Sequence, residues 1–355
     1  MSAISNAQLG SSSGQRLHVI DILKLCFIVA LVIFHTWEYS KYENQMATAS
    51  SESFYSFYYH ILTLGLFRFT GLLLTALSFF LFGYRNSVFS PKKILIFLAG
   101  IALIQIEPQG NWSWDVYGFL LISYIICYLI PKRVQIIVAV LGLSLLALGQ
   151  SAKDWSELLG LNFGFANRVF VAQELTEGPN GWFLFPWIFL PIASYCFGFL
   201  ARVYEKVLRK ISWIELVIWI ALLCLLNDAA TRTTAPQAGR DFHRYLFWGE
   251  AKEFWPNFIL LLAIIRVSFA DPVRRFFSQE RFYLFSKIQW LQNLWICYFV
   301  HLMFIFYFAE KYTHNSTVPH FLDFSWVATL MLTEISVQFL FFVQGYYTKI
   351  NKKSF

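Results

Sequence analysis

The residues of this chain best suited to chemistry lie near its start. They form the stretch Arg16-Leu-His-Val-Ile-Asp21-Ile-Leu-Lys24, followed after ten apolar residues by His35. On a helix turning about 100° per residue, Lys24 and His35 lie about 1100° apart, about 20° from three full turns. Asp21 and His35 lie about 1400° apart, about 40° short of four turns, so the three side chains share one face. Along the axis Lys24 and His35 stand about 16 Å apart. A cation able to hold an anionic group is thus followed, deeper along the helix, by an imidazole able to take a proton near neutral pH. A plainer alternative is structural: Asp21 pairs with Lys24 three residues on, and His35 hydrogen-bonds a neighbouring helix.

Other ionisable groups interrupt apolar runs further along. His301 sits in Leu294-Trp-Ile-Cys-Tyr-Phe-Val-His301, and a hydrogen-bonded packing role accounts for it as well as a chemical one. Arg68, in Leu66-Phe-Arg-Phe-Thr-Gly71, needs a partner or a polar cavity, and Glu334 is a candidate partner. Arg266 and Glu215 lie near the ends of their runs, where long side chains reach an interface. His60, His243, His314 and His320 fall in or beside loops and read as solvated.

The elements that must position these groups are helices in lipid. Only 14% of the residues are charged and 57% are hydrophobic, whereas a soluble domain carries about 25% charged residues. The aromatic load, 39 Phe, 18 Tyr and 13 Trp, suits lipid contact and the headgroup level respectively. About ten apolar runs follow one another, near 20–37, 61–83, 93–106, 116–130, 134–149, 182–201, 213–227, 254–270, 288–309 and 324–344. A crossing helix needs roughly 20 residues, and three of the runs (93–106, 116–130 and 213–227) are shorter. Eight spans with re-entrant segments is therefore the alternative count. Residues 1–15 read as a disordered cytoplasmic tail, and 16–355 as a single transmembrane domain. Asp21 and Lys24 interrupt the first run, and the small residues Ala47-Thr48-Ala49 lie well past its end, which argues against a cleaved signal segment.

Charge gives the bundle a direction. With the N-terminus inside, the inner segments hold 17 of the 28 Lys and Arg residues and the outer loops 8. Both termini are then cytoplasmic, and the long loops 150–181 and 228–253 face outward. The net charge of +7 is scattered between apolar runs, so no basic face for nucleic acid forms. The five cysteines lie inside apolar runs without metal-ligand spacing and read as small core residues. Neither a metal nor a resident cofactor is expected. The sequons Asn111-Trp-Ser113 and Asn315-Ser-Thr317 fall in outer loops.

The first-helix pattern resembles the opening signature of the membrane acyltransferase superfamily, which includes the acyltransferase-3 group and relatives of heparan-α-glucosaminide N-acetyltransferase. Thr70-Gly71-Leu-Leu-Leu-Thr-Ala-Leu-Ser78, followed by Arg85, is similar to that family's second helix and its basic exit. The stretch from Gly178-Pro-Asn-Gly-Trp182 to Gly198 resembles a later helix ending on a small-residue turn, and Leu294 to His301 resembles its late Tyr-Leu-x-His element. Ten spans with both ends inside also agree with the acyltransferase-3 group. Lys24 stands where that group usually has Arg, and Lys92-Lys93 where its third helix opens with two arginines three apart.

The resemblance implies an integral protein of the cell (inner) membrane that moves an acyl group, commonly acetyl, from cytosolic acyl-CoA to a hydroxyl or amine of a glycan or similar acceptor. It makes His35 and His301 the candidate catalytic residues. Asp21, Lys24, Arg68, Arg85, Lys92 and Lys93 become candidates for substrate binding, with acyl-CoA as co-substrate. Three rivals rest on the same residues. A transporter or flippase would use the first-helix stripe as a path, a haem or quinone protein would use His35 and His301 as ligands, and a scaffold or receptor would keep the fold without catalysis.

Overall fold

The computed structural model describes residues 17–39, 70–85, 91–104, 116–147, 188–232 and 254–277, with scattered positions between 330 and 342. Among the described residues the chain is all helical, without strands. The helices are α1 (His18–Tyr39), α2 (Thr70–Tyr84), α3 (Pro91–Ile104), α4 (Val116–Leu129) and α5 (Lys132–Ala147). They continue with α6 (Phe189–Val203), the short α7 (Glu205–Arg209), α8 (Trp213–Arg232), α9 (Phe254–Phe269) and the short α10 (Asp271–Phe276). Eight of these fall on eight of the apolar runs. The positions between 330 and 342 are helical and fall on the last run, while 288–309 and the long loop 150–181 lie outside the described residues.

Proline and polar side chains set the boundaries. Pro131 follows the last turn of α4, and its carbonyl accepts from Val134 N–H (2.8 Å) and Gln135 N–H (3.0 Å) to start α5. The buried Gln135 amide then donates back to the Cys127 carbonyl (2.5 Å) and the Ile130 carbonyl (2.6 Å). The Cys127 carbonyl lies in the last turn of α4, whose carbonyls have no partner within the helix, and Ile130 directly follows that helix. Pro191 lies in the first turn of α6, where its missing N–H is not needed. Ser212 caps α8 by accepting from Glu215 N–H at 3.0 Å.

The centre of the bundle is the crossing of α2 and α6. A Cβ on Gly83 would run into the Tyr195 carbonyl, and one on Gly198 into the Phe80 carbonyl. The two backbones meet because each glycine faces the other helix's main chain, the close approach that small residues permit. Gly198 is therefore a mid-helix contact: α6 continues past it to Val203, so the expected turn at that glycine is not there. Around the crossing, α1 and α9 pack on α2, α5 and α4 on α6, α3 on α4, and α8 on α9. Phe80, Tyr84 and Phe269 form an aromatic contact between α2 and α9, with Tyr84 and Phe269 centroids 5.4 Å apart.

Among the described residues no helix is long and apolar enough to cross a membrane. The central α6, at 15 residues, is about 22 Å long, against a hydrocarbon layer of about 30 Å. Yet large apolar side chains face outward on the peripheral helices. They include Val134, Ile137, Val140 and Leu141 on α5, and Trp213, Ile214, Val217, Ile218 and Leu225 on α8.

Candidate functional site

Charged residues gather at one end of the bundle, where α1, α3 and α8 begin and α2, α6 and α9 finish. On α1, Asp21 and Lys24 are both buried, each 6% exposed, and lie about one turn apart. Arg85, directly after α2, approaches Asp21 at 4.0 Å while its own side chain stays 43% exposed. A pair this long and this wet contributes little, about 0–1 kcal/mol, which leaves the guanidinium free to turn toward an anion. Lys93, in the first turn of α3, places its ammonium 4.7 Å over the Phe82 ring and 5.5 Å over the Tyr124 ring. The rings favour the ammonium, since a cation over an aromatic face gains about 0.5–2 kcal/mol.

The structure therefore brings Asp21, Lys24, Arg85 and Lys93 to one end, from α1, α3 and the turn that follows α2. His35 lies on α1 as well, fourteen residues beyond Asp21, or about 21 Å along the axis. Lys92 is the second residue of α3. Arg68 and His301 lie outside the described residues, so the suggested pairing of Arg68 with Glu334 does too. Glu334 accepts a hydrogen bond from Gln338 at 2.6 Å.

A second network beside this group was not singled out in the sequence. Glu205, at the start of α7, accepts from Arg209 one turn on (2.5 Å) and from Arg274 on α10 (3.0 Å). Burial pushes its carboxyl up, but the hydrogen bonds from Arg209 and Arg274 outweigh this and hold it below the usual carboxylate value. The Tyr84 hydroxyl is buried and makes no hydrogen bond of normal geometry. Burial, and then the Glu205 carboxylate, push its pKa up. Arg266 on α9 meets Glu215 on α8 at 2.7 Å, and also donates to the Leu208 and Lys210 carbonyls. Arg266 and Glu215, expected to reach out to an interface separately, instead hold each other across 51 residues of chain. The available signal was scarcity: Glu205 is one of three acids in the inner segments, and a lone acid among arginines is a natural hub.

Chemically, this end carries cations at Arg85 and Lys93 within reach of solvent and a third, Lys24, buried on the helix that carries His35. Among the described residues no group of three or more His, Cys, Asp or Glu side chains could hold a metal ion. Compared with family models, with curated proteins and with solved structures, the chain finds no match.

Proposed function

We infer that the protein is an integral membrane acyltransferase, moving an acyl group, commonly acetyl, from cytosolic acyl-CoA to a hydroxyl or amine of a glycan or similar acceptor. The observation that carries this reading is the placement of Asp21, Lys24, Arg85 and Lys93 at one end of the bundle, with Asp21 and Lys24 on the helix that bears His35. The nucleotide end of acyl-CoA is anionic and suits such a cluster. Its slender pantetheine arm is long enough to carry the thioester along α1 toward the imidazole. There His35 would take the acceptor's proton as the acyl carbon is attacked.

A lipid environment is supported by the outward apolar faces of α5 and α8, which a water-exposed protein rarely presents at that extent. In this reading the charged end faces the cytoplasm, in keeping with the excess of Lys and Arg in the inner segments. The short central helices, α6 above all, are then shielded from lipid by the helices around them.

The test is to incubate the purified full-length protein with labelled acetyl-CoA and a panel of glycans, beside a folded His35→Ala variant. Acyl transfer with release of free CoA is expected for the wild type and loss of transfer for the variant. Undiminished transfer by His35→Ala would remove the imidazole from the mechanism. Movement of a substrate across the membrane without CoA release would identify a transporter instead.

A further inference from the structure

Where α6 passes through α7 into α8, the surface sets cations beside large apolar side chains. Arg202, Lys206 and Lys210 follow one another at steps of four residues, Arg202 half-buried and the two lysines exposed. Val203 and Val207 repeat that step one position on, and both are exposed, as is Tyr204 between them. Residues four apart on a helix are surface neighbours, so the cations and the valines run as two adjoining rows. Trp213, 71% exposed, and Ile214 open α8 three residues after Lys210. From α10, Arg275 and Phe276 are exposed as well, directly after Arg274, which reaches Glu205 at 3.0 Å. The acids of this junction are mostly engaged inside it: Glu205 holds Arg209 and Arg274, and Glu215 holds Arg266. Asp271, half-buried in the first turn of α10, is the other. Arg202, Lys206, Lys210 and Arg275 make no ion pair among the described residues.

We propose that this face binds the headgroups of anionic phospholipids, with Lys206, Lys210 and Arg275 on the phosphates and Tyr204, Trp213 and Phe276 at the headgroup level. The proposal is separate from acyl transfer, but it rests on the lipid environment read above. Charge complementarity selects the lipid: the exposed cations outnumber the one acid left beside them, and a zwitterionic headgroup offers them no net charge. The apolar residues select a membrane over a soluble anion, because a phosphate in water gains nothing from exposed valine and tryptophan. Trp and Tyr favour the boundary where one end of the ring is dry and the other wet. Lys and Arg reach from apolar surroundings to the phosphates on long stems. Between Lys210 and the outward apolar face that begins at Trp213 lies less than one helical turn, as a boundary between headgroups and hydrocarbon requires. Each basic residue close to an anionic surface strengthens association about fivefold.

The experiment uses full-length protein purified in a neutral detergent and mixed with phosphatidylglycerol or phosphatidylcholine of the same acyl chains, the retained lipid being counted by native mass spectrometry. The wild type is expected to retain phosphatidylglycerol at concentrations at least about tenfold below those needed for phosphatidylcholine. The triple variant Lys206→Gln/Lys210→Gln/Arg275→Gln should melt with the wild type and lose most of that preference. Salt at about 1 M, which cuts the reach of charge to about 3 Å, should remove it from the wild type too, a readout that does not depend on the variant folding. Equal retention of the two lipids by the wild type, or an undiminished preference in the folded variant, would overturn the proposal. Displacement of phosphatidylglycerol by millimolar glycerol 3-phosphate would also overturn it, making the face a site for a soluble anion. Absence of a preference in a protein that needs detergent to stay dispersed leaves the lipid environment standing. A protein that stays dispersed without detergent or lipid would take both down.

Discussion

Helices α6 and α8 are both strongly apolar, yet they hold opposite places in the bundle. In α6, nine residues from Leu190 to Ala201 are buried, and the small ones (Ala193, Ser194, Gly198 and Ala201) let neighbouring backbones close in. In α8, Trp213, Ile214, Val217, Ile218 and Leu225 point outward. Hydrophobicity alone does not separate these helices, but side-chain size does: small residues mark the inward helix and bulky ones the outward helix. Where lipid is the solvent, burying an apolar side chain against protein gains little over leaving it in the chains, and close packing decides what goes inside. The charged end joins the two, since α6 passes through α7 into α8 while Glu205 and Glu215 bind arginines on α10 and α9.

The strongest way to break this contrast is at the crossing. Gly198→Val places a branched side chain against the Phe80 carbonyl and the Tyr84 amide. These are backbone atoms and cannot rotate aside. Destabilisation above about 4 kcal/mol is expected, in the range reserved for specific structural lesions, although valine is the better helix former by a few tenths of a kcal/mol. Thermal unfolding in a fixed detergent measures it. An unchanged melting temperature would mean that α2 and α6 do not cross at these glycines.

The outward helix gives the next largest effect. Leu225 is 66% exposed near the middle of α8. If that face meets lipid, Leu225→Asp costs about 2.5–3.5 kcal/mol of insertion free energy, read as a loss of membrane-integrated protein. A face in water would accept aspartate within about 0.5 kcal/mol, and the integrated yield would not change.

Much of the helical layout was legible because apolar runs and prolines are local signals. Pro131 and the run ends near 83, 130 and 270 mark boundaries that the helices follow closely. The convergence of Asp21, Lys24, Arg85 and Lys93 was only half legible. Periodicity aligned the α1 residues, but what brings Arg85 to Asp21 and Lys93 onto Phe82 at the same end is the packing of the helices, which no spacing encodes. The Glu205 network was hidden for the same reason, since Arg209 lies 4 residues from it but Arg274 lies 69 residues away. Gly198 was noticed for the wrong reason: glycine ends helices and also lets them touch, and only the neighbour across the contact distinguishes the two.

The charged junction is expected to matter less than the crossing, because its groups are partly solvated. Glu205→Gln leaves Arg209 and Arg274 without their shared carboxylate. With side chains 19% and 11% exposed at Glu205 and Arg274, a cost of about 1–3 kcal/mol is expected, between surface and buried pairs. The folded carboxyl lies below its ordinary value of 4.5. Glu205 therefore adds stability above about that pH, and the contribution is lost as pH falls from there through the folded value. Acid unfolding of Glu205→Gln should lose that part of the pH dependence; a parallel acid profile in both proteins would show that the carboxylate is not held by its arginines.

The smallest effect tests whether the α2–α6 crossing and the charged junction are one unit. Tyr84 ends α2, one residue after Gly83, and its hydroxyl is buried without a hydrogen bond of normal geometry, close enough to Glu205 for the carboxylate to raise its pKa. An unsatisfied buried hydroxyl contributes no bond to lose, and phenylalanine keeps the ring against Phe269. Tyr84→Phe should therefore change stability at pH 7 by no more than about 0.5 kcal/mol. At alkaline pH the two proteins diverge. The folded phenol resists ionisation, so its favourable contribution holds below about pH 10 and is lost as pH rises from there through the folded value. Tyr84→Phe removes that alkaline loss. A cost at pH 7 of about 1 kcal/mol or more would instead make Tyr84 a hydrogen-bonding member of the Glu205 network, tying the crossing directly to the charged end.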